Sequence, residues 1–151
     1  MADPLAVLQH HTASLRPGGL MVALDFDVTA SRAEPALPLV TQALGWVHAA
    51  FRSGGASPAI GTRLALLLAR AGLADVQGLG IQAYLGPDDA AGPAMLSGVV
   101  RSLLPQIVAS GVASAEAVGI ETLQSRIAQA VQAGGSVVLP PVLAGAWGRR
   151  S

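Results

Sequence analysis

Leu20-Met21-Val22-Ala23-Leu24 is apolar on both alternating faces and ends abruptly in Asp25-Phe26-Asp27. A strand that is apolar on both sides reads as a central strand covered by other layers above and below. Period two sets Asp25 and Asp27 on one face, at the strand's carboxyl end. Upstream, Asp3-Pro4 is a helix start: the carboxylate caps, and the proline takes the first turn, where its missing N–H costs nothing. Leu5, Leu8 and Leu15 follow at helical spacing with Arg16 near the end, and Pro17-Gly18-Gly19 turns the chain into the strand.

Downstream, Val40, Leu44, Val47 and Phe51 form an i, i+4, i+7, i+11 stripe that predicts a helix from Pro38 to Phe51, ended by Gly54-Gly55. Ser57-Pro58 restarts a helix through Leu64, Leu67 and Leu68 to Arg70, with Gly72 as its cap. Val76, Leu79, Ile81, Ala83 and Leu85 predict a second strand. Two helical segments follow at about 88–109 and 114–133, with stripes Met95, Val99, Leu103, Ile107 and Ile120, Leu123, Ile127, Val131; Pro105 should kink the first or end it early. A last strand is expected from Ser136 to about Trp147; Pro140-Pro141 removes two donors in its middle, so its paired section is short or starts after the prolines. The order predicts one α/β domain over 1–151, with three strands, five helices and a helical insertion at about 88–133. A doubly wound sheet usually has more strands, and nothing upstream of Leu20 supplies a neighbour for a central strand, so the pattern fits part of a larger sheet.

The composition is apolar, with 52% hydrophobic and 12% charged residues, which excludes a disordered chain and suggests apolar surface meant to be covered. Net charge is zero and every basic residue is Arg, clustered only at Arg149-Arg150, so neither nucleic acid nor an anionic membrane is an expected partner. There is no Cys, which excludes disulfides and thiolate catalysis. No basic stretch followed by an apolar one opens the chain, and no apolar run reaches the roughly 18 residues of a membrane helix. A soluble cytoplasmic protein is expected.

Asp25 and Asp27 are the candidate catalytic residues, because ligands of open α/β sheets bind beyond the carboxyl ends of strands. A carboxylate there orients an acceptor hydroxyl or amine, or removes its proton. The competing reading is a solvated strand end or a cap for the next helix. Alternation places Gln82 and Tyr84 opposite Ile81, Ala83 and Leu85, which makes them candidates for lining a polar substrate pocket. His10 and His11 are adjacent and so lie on different helix faces, and His48 stands alone; no metal site is expected. No Gly-x-Ser-x-Gly elbow exists, so hydrolase chemistry has no support.

Asp3-Pro4-Leu5-Ala6-Val7-Leu8 and Leu15-Arg16-Pro17-Gly18-Gly19-Leu20-Met21-Val22 resemble the helix, "L(R/K)PGG" turn and fifth strand of Rossmann-like S-adenosylmethionine-dependent methyltransferases. Leu73-Ala74-Asp75-Val76 resembles the entry to that family's sixth strand, and the run from Pro140 to Arg150 is similar to the last strand of a bacterial subgroup. In the family a Leu or Val and a Pro usually precede the Asp-Pro, where this chain has Met1-Ala2. The resemblance implies a partial sheet of about three strands, the fifth to the seventh, with flanking helices and a two-helix insertion. It also implies S-adenosylmethionine as cofactor and a small-molecule methyl acceptor as partner. The family's glycine-rich cofactor loop, between a first strand and a helix, is not found: Gly78-Leu79-Gly80 falls inside a strand pattern, and Gly18-Gly19 precedes a strand. No cofactor-binding residue is therefore assigned. The expectation is a truncated, acceptor-side half that needs a missing N-terminal half for activity. The alternative is a non-catalytic interaction module, or a relic, that forms a homodimer through the open edge at Leu20–Leu24.

Overall fold

The Asp3 carboxylate accepts a hydrogen bond from the Leu5 amide at 2.9 Å and starts helix α1 (Pro4–Ser14), with proline in the first turn. The computed structural model in which this is seen describes residues 3–151, so the comparison at Met1-Ala2 lies outside the described residues. Gly18, at φ +74°, then turns the chain into strand β1 (Leu20–Asp27). The fold is α/β, with a small antiparallel sheet and helices, and the chain gathers into two compact units.

The first unit contains the residues up to Asp27 together with Pro58–Ile81 and Val142–Ser151. Helix α3 (Ile60–Arg70) and strands β3 (Leu73–Ile81) and β5 (Val142–Arg150) complete it, with Gly72 at φ +93° making the reversal from helix to strand that a side chain would resist. The strands form a sheet of order β1-β5-β3, with β5 antiparallel to both neighbours. One face carries Met21, Ala23, Ala146 and Val76 and packs against Leu64 and Leu68 of α3 and Leu8 of α1. Small residues let the helix approach: a Cβ on Gly78 would stand 3.6 Å from that of Ala65. The other face is open. Leu20, Val22, Leu24 and Phe26 of β1 point outward and are about half exposed or more. β1 is therefore an edge strand covered on one side, not the doubly covered central strand its sequence predicts; no other described strand pairs with its outer edge.

At the end of β5, Arg150 Nη1 donates to the carbonyls of Ala13, at 2.8 Å, and Leu15, and Arg149 Nη1 donates to Gly18 O at 3.1 Å. Arg150 thus satisfies carbonyls that α1 leaves without partners where it stops, and Arg149 holds the turn that follows.

The second unit contains Val28–Ser57 and Gln82–Pro141. Its helices are α2 (Pro38–Ser53), α4 (Ala91–Ala109), the single turn α5 (Ala115–Val118) and α6 (Ile120–Gly134). Their buried residues meet in one core: Val40, Ala43 and Val47 from α2, Val100 and Ile107 from α4, Leu123, Ile127 and Val131 from α6. The α6 stripe is the one the spacing predicts. On α4 the buried face is turned: Met95 and Val99 are exposed, and Gly92, Ser97 and Val100 lie inside. At its first turn this face packs closely, since a Cβ on Gly92 would meet Val138 at 3.0 Å; further along, Val100 and Ile107 fill it. Pro105 neither ends nor shortens α4, which continues to Ala109 with Ile107 fully buried beyond it.

The expected last strand is two strands. Pro140 and Pro141 lack the N–H groups a ladder needs, and they separate β5 from β4 (Val137–Leu139), which pairs antiparallel with the three-residue β2 (Arg32–Glu34). Among the described residues no helix is long and apolar enough to cross a membrane.

Ile127 is fully buried in the second unit's core. Ile127→Ala is expected to lower stability by about 2–5 kcal/mol, measured as a fall in the midpoint of urea unfolding followed by far-ultraviolet circular dichroism.

Candidate functional site at the carboxyl end of the first strand

The four predicted site residues fall into different units: Asp25 and Asp27 end β1 in the first, and Gln82 and Tyr84 belong to the second. Asp25 is exposed, and its Oδ1 accepts from the Phe26 amide at 2.7 Å. Asp27 is 6% exposed. Both lie on the sheet face that α3 covers, the face shared by Met21 and Ala23. The close approach is made at Gly61 in the first turn of α3. A Cβ there would stand 2.8 Å from Phe26 C, 2.9 Å from Asp27 N and 3.0 Å from Asp25 O. The backbone of the strand end therefore lies directly against the amino-terminal turn of α3, which has no side-chain cap of its own. The positive end of a helix dipole favours carboxylates nearby. One aspartate is thus enclosed where the strand meets the helix, and the other is exposed at the strand end.

Gln82 and Tyr84 do not share a strand face, because β3 ends at Ile81. The ladder stops there for a physical reason: Ile81 pairs with Leu143, and the partner strand begins just after two prolines. Gln82 Nε2 instead donates to Ala30 O at 3.2 Å and to Pro140 O at 2.7 Å, so its amide joins two loops of the second unit. Tyr84 is 76% exposed. Leu85 then makes a two-bond bridge with Val138, at 3.0 and 2.8 Å.

Among the described residues no three His, Asp or Glu side chains gather into a group that holds a metal. The rings of His10 and His11 meet edge to face at 5.7 Å, and His48 Nε2 lies 3.2 Å from Val28 O within the second unit. Gly78-Leu79-Gly80 lies inside β3, so it is no phosphate-binding turn between a strand and a helix.

One feature escaped the sequence. An open groove of about 470 Å3 runs between α1 and β1, lined by Leu8, His11 and Leu15 on one side and residues 20–23 on the other. It follows the free edge of β1. The only sign of it in the sequence is the absence of a neighbour for that strand.

No family model matches the chain, and no curated protein is detectably similar to it.

The contrast between Gln82 and Tyr84 is measurable. Gln82→Ala should cost about 1–3 kcal/mol by leaving two carbonyls without their donor, whereas Tyr84→Ala should change stability by less than about 0.5 kcal/mol. Urea unfolding of the two variants separates these outcomes.

Proposed function

We propose that this chain is the acceptor-side half of a Rossmann-like S-adenosylmethionine-dependent methyltransferase, acting on a small-molecule acceptor when completed by a half that binds the cofactor. The observation that supports the proposal is that the three stretches carrying the resemblance, Leu20–Asp27, Leu73–Ile81 and Val142–Arg150, form one sheet, with the last of them between the other two. The Pro17-Gly18-Gly19 turn before β1 and the two aspartates at the strand's end support the same reading. The free β1 edge and the groove beside it offer a place for the next strand and helix of a larger sheet.

The residues present do not fit the cofactor itself. No strand-to-helix connection among the described residues carries a glycine-rich loop, and the one Gly-x-Gly is locked in β3. No step is therefore assigned through the methyl donor. The part of the reaction that falls to this chain is positioning. Methyl transfer gains most from holding acceptor and donor in line; in this reading the Asp25 carboxylate, exposed at the strand end, accepts a hydrogen bond from an acceptor hydroxyl or amine and takes up its proton. Asp27 is enclosed at the same strand end, where the first turn of α3 packs directly on the backbone.

Calorimetric titration of the isolated chain with S-adenosylmethionine should show no saturable binding. Mixed with the separately produced glycine-rich-loop half of a Rossmann-like methyltransferase, the chain should transfer a labelled methyl group to small hydroxyl or amine acceptors, and Asp25→Ala should slow transfer about 10²-fold. Micromolar cofactor binding by the chain alone would overturn the division into halves. Failure of the mixture to transfer methyl, or an Asp25→Ala variant as fast as the parent, would overturn the assignment.

A further inference from the structure

We infer that the uncovered face of the three-stranded sheet is a homodimer interface, closed face to face by a second copy of this chain. Residues opposite one another in the register form rows across the strands: Phe26, Leu143 and Ile81, then Leu24, Gly145 and Leu79, then Val22, Trp147 and Gln77. The Leu, Ile, Val and Phe side chains of these rows are 39% to 66% exposed, because the helices of the first unit pack on the opposite face. With Leu20 included, and taking roughly 150–200 Å2 for a fully exposed side chain, about 600 Å2 of apolar surface lies open. That is at the upper end of the largest apolar patch a monomer normally shows, about 300–600 Å2. Two such faces bring together about 1,200 Å2, above the roughly 1,000 Å2 that a specific interface has to clear.

The occupant follows from the chemistry of the patch. None of the three rows contains an ionisable group, and Arg149 stands only in the next row, opposite Leu20. Depletion of charge marks the cores of interfaces, and homodimer interfaces are among the more apolar. The formal net charge of zero leaves two copies without collective repulsion. A two-fold axis uses the same patch twice, so no second complementary surface is required. Two stacked sheets about 10 Å apart, with strands within about 30° of each other, are a standard packing. Pairing through the β1 edge does not serve the patch: it leaves these side chains in water, and the Phe26 amide is already held by Asp25. Face-to-face closure leaves the backbone edge of β1 unpaired; of the groove along α1 it covers Leu20 and Val22 and not Leu8, His11 or Leu15. The dimer thus stands independently of the methyltransferase assignment.

Sedimentation equilibrium of the whole chain from about 1 to 200 µM tests the proposal. The expected mass is twice 15.1 kDa, with a Kd near 10 µM or tighter, about 7 kcal/mol at that value. Leu24→Glu combined with Leu79→Glu should give a monomer, with Kd raised at least about 100-fold and unchanged circular dichroism, since both side chains are exposed in the single chain. The chain has no cysteine, so Gly145→Cys supplies a unique thiol at the centre of the face. A short bis-maleimide reaches between stacked sheets about 10 Å apart, but not across the three strand spacings, about 14 Å, that separate these positions in an edge-paired dimer. A monomer at every concentration, oligomers beyond two, or a dimer indifferent to the double substitution each overturn the interface. If the double variant unfolds, cross-linking decides: a dimer in which Gly145→Cys does not cross-link also overturns it. A dimer that transfers no methyl group with any cofactor half leaves the interface standing and removes the functional assignment; methyl transfer by a strict monomer does the reverse.

Discussion

Every hydrogen-bonded ladder of the first unit runs through β5. β1 and β3 do not pair with each other; each pairs along most of its length with Val142–Arg150. The strand that joins the sheet is the last in the sequence, and its partners begin at Leu20 and Leu73. Closing loops of that length before any ladder forms costs chain entropy, which places the sheet among slowly forming, non-local structures. The arginines at the end of β5 extend the same dependence, since they hold the carbonyls where α1 ends and the turn that leads into β1.

The residues of β5 are small for a reason. Ala144 and Ala146 face α3 and are buried, and Gly148 stands where a Cβ would meet Val76 at 2.9 Å. A central strand with bulky residues on that face would push the helix away from the sheet. On the opposite face Gly145 lies between Leu24 and Leu79, and a Cβ there would meet Leu24 at 3.2 Å. The absence of a side chain in the middle row gives the open face a shallow trough with leucine on both sides. The sheet is tightly made on one surface and unfinished on the other.

Much of this was legible in the chain itself. The cap at Asp3, the break at Pro17-Gly18-Gly19, the helices ending near Ser53 and Arg70 and the buried stripe of α6 all follow local rules of spacing and turn chemistry, and all are found. What misled was partnership. Alternation tells which residues of β1 share a face, but apolar residues on both faces do not reveal whether a second layer is present in the same chain. Likewise the run from Leu79 to Leu85 alternates as a strand does, yet a strand needs a partner, and Pro140-Pro141 ends the partner at Val142. Gln82 therefore leaves the sheet and spends its amide on two carbonyls. The β2 strand is three residues long and too short for periodicity to show. Of the candidate site, the sequence located both aspartates at the strand end; the close approach at Gly61 is a tertiary contact between positions more than thirty residues apart in the chain, which spacing does not encode.

A single register separates the two kinds of chemistry on β1. Met21, Ala23, Asp25 and Asp27 face the helices, and Leu20, Val22, Leu24 and Phe26 face the open side. A slip of one residue against β5 exchanges the sets. Two carboxylates then stand on the apolar face, and four large side chains press on a helix that at Gly61 has no room even for a methyl group. The pairs Asp25 with Ala144 and Asp27 with Val142 are thus held from both sides: by the cost of charge on a surface suited to association, and by the cost of bulk beneath α3. The aspartates stay beside the first turn of α3 because the leucines opposite them in the alternation cannot.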